Sequence, residues 1–120
     1  VASHFSLERM MAGKMLACLE RSFERGRSGA QIKGRDFYDL LWFMQQRVQP
    51  LEVKLARDSR QPHTTRSAML ALQEKILQIK KQDLALDLLP MFEERAFIGA
   101  WLDAFHETFN RLVSQYIASQ

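Results

Sequence analysis

Two features of the sequence carry side chains suited to phosphate or proton chemistry. One is Lys14, inside the apolar segment LERMMAGKMLACLER, and the other is the run from Lys33 to Asp39, KGRDFYD. On a helical wheel, Leu7, Met10, Met11, Ala17 and Cys18 all lie within about 60° of Lys14, and Arg21 falls nearly on the same line. Two cations in an apolar stripe suit a cleft where they meet a phosphate or a carboxylate. The ordinary alternative is a lysine stem lying on apolar surface with its ammonium in water. Asp36 and Asp39 stand three residues apart, so on a helix both carboxylates face one side. They also fall in the first turn, where the helix dipole favours an ionised carboxylate by about 0.3–1 kcal/mol, and acidic residues are common there for that reason alone. Lys33 and Arg35 beside them make a mixed-charge cluster where a loop meets a helix N-terminus, a place that holds anions.

The elements that must position these groups read as helices throughout. A first helix is expected over about residues 7–25, with Ser6 as its N-cap. Ala12, Leu16, Leu19 and Phe23 give it a second apolar face opposite Lys14, the pattern of a helix packed from both sides. Gly26, Ser28 and Gly29 end that pattern, and a loop continues to Gly34. A second helix is expected to start near Arg35 and end before Pro50, with Phe37, Leu40, Leu41, Met44 and Val48 as its stripe.

Residues 51–56 suit a short helical turn, and 58–65 are the most loop-like stretch. Thr64 or Thr65 then caps a third helix to about residue 82, with Met69, Leu72, Ile76 and Ile79 inward. Residues 83–89 add a turn or two, stopped by Pro90. A last helix over about 97–117 carries Phe97, Trp101, Phe105, Phe109, Leu112 and Tyr116 as core. With no repeat and no strand-like alternation, the expectation is an all-α fold, a compact bundle of about four main helices forming one domain over residues 1–120. In a simple antiparallel hairpin Asp36 would lie roughly 16 Å from Lys14. A shared site therefore requires the connecting loop to run back alongside the first helix.

Composition narrows the setting. No apolar run approaches the ~20 residues of a membrane span, so no membrane partner is expected and the cytoplasm is the default location. The single Cys18 forms no intrachain disulfide. A formal charge of +3 with mixed signs tolerates a polyanionic partner without requiring one. Val1 is not an initiator methionine and a helical pattern follows almost at once, so the chain is expected to be part of a longer protein. His4 and His106 have no partners at metal-ligand spacing, and no metal site is expected. The basic residues from Arg57 to Arg66 read as solvated, with reach to RNA phosphates.

Lys14 in its apolar helix, a glycine-containing loop, then KGRDFYDLLWFM, together resemble the AbiEii/AbiGii-type toxin nucleotidyltransferases of type IV, abortive-infection toxin–antitoxin systems. The later DLALDLLPMF and the aromatic-bearing helix after it resemble the C-terminal region of that family, so the similarity covers most of the chain. The resemblance implies a polymerase-β-like enzyme that uses Mg²⁺ to move a nucleotide from an NTP to an acceptor such as tRNA. It implies that Lys14 contacts the nucleotide phosphates; Arg21, in line with Lys14 on the wheel, and Lys33, in the mixed-charge cluster, are expected as further nucleotide-binding cations. Asp36 would be an essential carboxylate, supported by Arg35 and Asp39.

The family's Gly-Ser turn and strand-borne carboxylate pair have no counterpart in these 120 residues. The chain alone is therefore expected neither to bind Mg²⁺ tightly nor to transfer nucleotides. Its expected partners are the missing N-terminal nucleotidyltransferase domain, a cognate antitoxin and an acceptor nucleic acid. Two alternatives stand beside this: a non-catalytic helical interaction or RNA-binding module, and a HEPN-like ribonuclease using Arg57 and His63, which match a loose Arg-x5-His pattern.

Overall fold

A computed structural model of the chain describes residues 4–20 and 34–120, and among them the elements are six α-helices and one 3-10 turn, with no strand. The first helix, α1 (His4–Glu20), begins three residues earlier than expected, so Ser6 lies inside it and does not cap it. Residues 21–25 of the expected helix lie outside the described residues. Met11, Ala12, Met15, Leu16 and Cys18 are its buried side chains. That face centres on Met15, about 100° from Lys14. Lys14 thus stands at the border of the buried face and not in its middle, and Met10 beyond it is 55% exposed. The second apolar face, Ala12 and Leu16, belongs to this chain's own core.

α2 (Gly34–Gln45) ends before Pro50 as expected and buries Phe37, Leu40, Leu41 and Met44, but it stops short of Val48, the last residue of the expected stripe. Arg47 takes a left-handed φ of 58°. The Arg47 amide donates to the Met44 carbonyl and the Val48 amide to the Phe43 carbonyl, both at 3.1 Å. These two bonds are the Schellman pair that closes a helix C-terminus, with arginine where glycine is usual. Val48 leaves the helix yet still packs against the core. Because a side chain in the left-handed region costs about 1–2 kcal/mol, part of which glycine's freer unfolded chain offsets, Arg47→Gly should raise stability by about 0.5–1 kcal/mol. Urea unfolding of the two proteins measures this, and an unchanged or lower midpoint would contradict the assignment of strain.

The short α3 (Glu52–Arg57) is tied to its neighbours at its N-terminal end. The Leu51 amide donates to the Glu8 carbonyl of α1 at 3.0 Å. Leu55 is fully buried. α4 (Thr65–Ile76) opens on the expected threonine: the Thr64 side chain accepts from the Ser67 amide and the Thr64 amide donates to Ser67 Oγ. The Thr65 hydroxyl, one residue on, donates to Glu52 of α3 at 3.0 Å.

The chain then departs from expectation. α4 ends at Ile76, not near residue 82, and α5 (Lys81–Leu88) follows after a four-residue turn. No glycine or proline marks this break. Ile79 within it is 5% exposed, and its carbonyl accepts from His106 Nε2 at 2.6 Å. Burial of one side chain and a hydrogen bond from the last helix hold a turn that propensity does not signal. Pro90 lies in the 3-10 turn Leu89–Met91, and α6 (Arg95–Ala118) completes the fold. Its buried residues include Phe105, Phe109, Leu112 and Tyr116, whereas Phe97, expected in the core, is 51% exposed.

The four helices of twelve residues or more close into a ring. α1 packs on α2 and α4, and α6 packs on the same two from the far side. α3 braces the α1–α4 edge and α5 braces the α2–α6 edge. A single cluster of buried side chains draws on all six helices. Among the described residues no helix is long and apolar enough to cross a membrane.

Tyr116 links two corners of the ring by donating its hydroxyl to the Val48 carbonyl, and burial pushes its phenol up to about 12, slightly opposed by the charge of Arg47. An unfolded tyrosine ionises near 10. Its contribution to stability is therefore intact below about pH 10 and is lost as pH rises towards 12, by at most about 2–3 kcal/mol. Tyr116→Phe should remove that part of the alkaline slope, which stability measured between pH 9 and 12 reads directly. Equal slopes in the two proteins would show that the phenol is not held neutral by the fold.

Candidate active site

Lys14 and the two aspartates meet. Lys14 Nζ lies 3.0 Å from Asp36 Oδ1 and 3.0 Å from Asp39 Oδ2. The separation of roughly 16 Å expected of a simple hairpin does not occur, because the first turn of α2 lies beside the middle of α1. Two opposed demands fix the lysine at this border. Its stem leaves the apolar face of α1, and its ammonium reaches carboxylates that α2 presents one turn apart.

The electrostatics are those of a partly dry site. Asp36 is buried at 7% exposure, while the Lys14 and Asp39 side chains are 30% and 37% exposed. Burial acts to lower the Lys14 pKa, but the hydrogen bonds and charges of Asp36 and Asp39 outweigh it and hold the ammonium above its ordinary value. Lys14 is therefore charged at any pH near neutrality. Two of the three ammonium N–H donors are used on carboxylates, which leaves one for a ligand.

The trio opens on a cleft of about 730 Å³. Gly13 and Ala17, the small residues on either side of Lys14 along α1, keep one wall low. Tyr38, Trp42 and Met10 line the rest with apolar surface. Trp42 is 45% exposed despite its size. Sequence reasoning places Met10 and Ala17 beside Lys14 but passes over Tyr38 and Trp42. Trp42 lies off the buried stripe of α2 and three residues past Asp39, which is the signal that places an aromatic beside the carboxylates.

The other expected site residues divide. Arg35 is exposed and does not line the cleft. Arg21 and Lys33 lie outside the described residues. Arg57 is exposed at the end of α3, and His63 Nδ1 sits 3.0 Å from Ser67 Oγ, where it supports the start of α4.

The donor set does not suit resident Mg²⁺. That ion takes six oxygens at about 2.0–2.1 Å, whereas both carboxylates here hold an ammonium. Among the described residues no group of three or more His, Cys, Asp or Glu side chains is placed to hold a metal.

The described residues thus define an all-α protein with an ammonium set between two carboxylates beneath an aromatic-lined cleft. Residues 3–117 match the family model of the nucleotidyl transferase AbiEii toxins of type IV toxin–antitoxin systems, and the chain belongs to that family. Membership of a toxin–antitoxin family implies an antitoxin as partner. No curated protein and no solved structure matches the chain.

Proposed function

We propose that this chain is the helical C-terminal portion of a nucleotidyltransferase toxin that moves a nucleotide from an NTP to an acceptor such as tRNA. The observation that carries the proposal is the single site formed by Lys14, Asp36 and Asp39 at the mouth of an open cleft. In the reaction an acceptor hydroxyl attacks the α-phosphorus and pyrophosphate leaves. Lys14 binds a phosphate oxygen through its remaining donor and offsets charge that grows during the transfer. Asp36, nearly buried beside it, receives the proton of the attacking hydroxyl. Asp39, more exposed, keeps the ammonium in place.

Arg35, with Arg21 and Lys33, belongs to the same proposal as supporting cations, although Arg35 would have to turn toward the cleft. Mg²⁺ and NTP are requirements of the whole enzyme, with the metal held by an N-terminal nucleotidyltransferase domain and not by these two aspartates. The setting is cytoplasmic, where NTP and tRNA are found, and abortive infection is the process served, under control of the antitoxin.

A transfer assay on the whole protein with labelled NTP and a tRNA pool tests this. Lys14→Ala and Asp36→Ala should each lose transfer, while His63→Ala should retain it. Transfer retained in both of the first two variants would overturn the assignment. RNA cleavage that depends on His63 and not on Asp36 would put a ribonuclease in its place.

A further inference from the structure

The first turn of α2 is held from a second side, by a residue far away in the sequence. Gly34 opens that helix, and its amide is one of the donors that a helix N-terminus leaves without an internal partner. Asp87 Oδ2, on α5, accepts it at 2.7 Å across a separation of 53 residues. The preceding residue is Lys33, whose side chain has no acceptor to serve as a local cap. The approach is close: a Cβ added at Gly34 would lie 2.8 Å from Asp87 Cβ and 3.4 Å from the Leu84 carbonyl oxygen. Any other residue at position 34 must push α5 and α2 apart.

Asp36 follows two residues later, so the start of α2 is clamped between Lys14 on α1 and Asp87 on α5. We propose that Asp87 is a positioning residue of the active site: through the Gly34 amide it sets the first turn of α2 so that Asp36 and Asp39 reach Lys14. Asp87 does not line the cleft. It acts on orientation, and as a carboxylate at a helix N-terminus it also suits the dipole of α2. The catalytic consequence rests on the nucleotidyltransferase reading, whereas the positioning itself is measurable without turnover.

The test has two arms. In the first, the Lys14 side chain of this chain is followed by NMR as a function of pH in the wild type, Asp87→Asn and Asp87→Ala. Asparagine keeps an acceptor oxygen and should leave the Lys14 titration as in the wild type. Alanine should return it toward the value of an ordinary lysine, because the carboxylates withdraw. A wild-type Lys14 titration in folded Asp87→Ala overturns the proposal.

Should Asp87→Ala fail to fold, Asp87→Asn decides, by amide exchange at Gly34. Protection there like the wild type supports the acceptor role, and exchange as fast as in an unstructured chain overturns it. In the second arm, transfer by the whole protein should fall about 10- to 100-fold in kcat for Asp87→Ala, with KM for NTP within about threefold and near-complete rescue in Asp87→Asn. If Lys14→Ala and Asp36→Ala retain transfer, the functional reading fails while the NMR arm still judges the positioning.

Discussion

Asp36→Asn in the whole protein should lower nucleotide transfer by about 10²–10⁴-fold, the range lost when a positioned general base is removed, and leave the helical fold standing. The substitution is close to isosteric, so the cavity beside Lys14 is unchanged. What disappears is a charge and a proton acceptor. The ammonium keeps Asp39 at 3.0 Å, so Lys14 is not stranded. Stability should therefore change by no more than about 1–2 kcal/mol, well below the 3–5 kcal/mol of a fully broken buried ion pair. Circular dichroism and a denaturant titration on the same preparation separate lost chemistry from lost fold. A variant that transfers at more than about a tenth of the wild-type rate would remove Asp36 from the proton step.

Phe105→Ala should destabilise the protein by about 3–5 kcal/mol, the cost of deleting a fully buried aromatic ring from a packed core. Phe105 has no exposed surface. It meets Phe37 edge-on, with ring centroids 6.1 Å apart, and lies 4.9 Å from Trp101 and 5.5 Å from Phe109. Against a total stability of about 5–15 kcal/mol, this is a large share. The consequence extends to the site, because Phe37 adjoins Asp36 on α2 and the Phe37–Phe105 pair fastens α2 to α6. Transfer should then fall at temperatures below global unfolding, as the seat of α2 loosens. Thermal and urea unfolding measure the first effect, and a loss under about 1 kcal/mol would place the ring outside the core.

The two predictions draw on parts of the structure that were unequally visible beforehand. The stripe of α2, the Thr64 cap and the aromatic core of α6 from Phe105 onward follow from periodicity and capping chemistry, which are local. The order Lys14, then Arg-Asp-x-x-Asp, suggested a shared site through its family resemblance, while simple hairpin geometry argued against one. The register of α2 against α1 resolved that conflict, and register depends on packing with α5 and α6, which no local pattern encodes.

The other departures have the same physical origin. Arg47 adopts a conformation usually left to glycine because the end of α2 is completed by backbone bonds and by Val48 packing back on the core. The α4–α5 break carries no glycine or proline because Ile79 and His106 stabilise it at long range. Met10 belongs by periodicity to the apolar stripe around Lys14 and Trp42 lies off the stripe of α2, yet both rim the cleft. Nothing local marks Asp87, because its partner lies 53 residues away.

Whether Lys14 and Asp36 act as one unit is best measured by a double-mutant cycle on transfer by the whole protein, with Lys14→Ala, Asp36→Ala and both together. Groups that work as a unit lose nearly everything at the first substitution. The double variant should therefore be no slower than the slower single variant, within about threefold. Losses that multiply across the cycle would show two independent contributions, and transfer that survives all three substitutions would show that this contact, 3.0 Å long, is not where the reaction takes place.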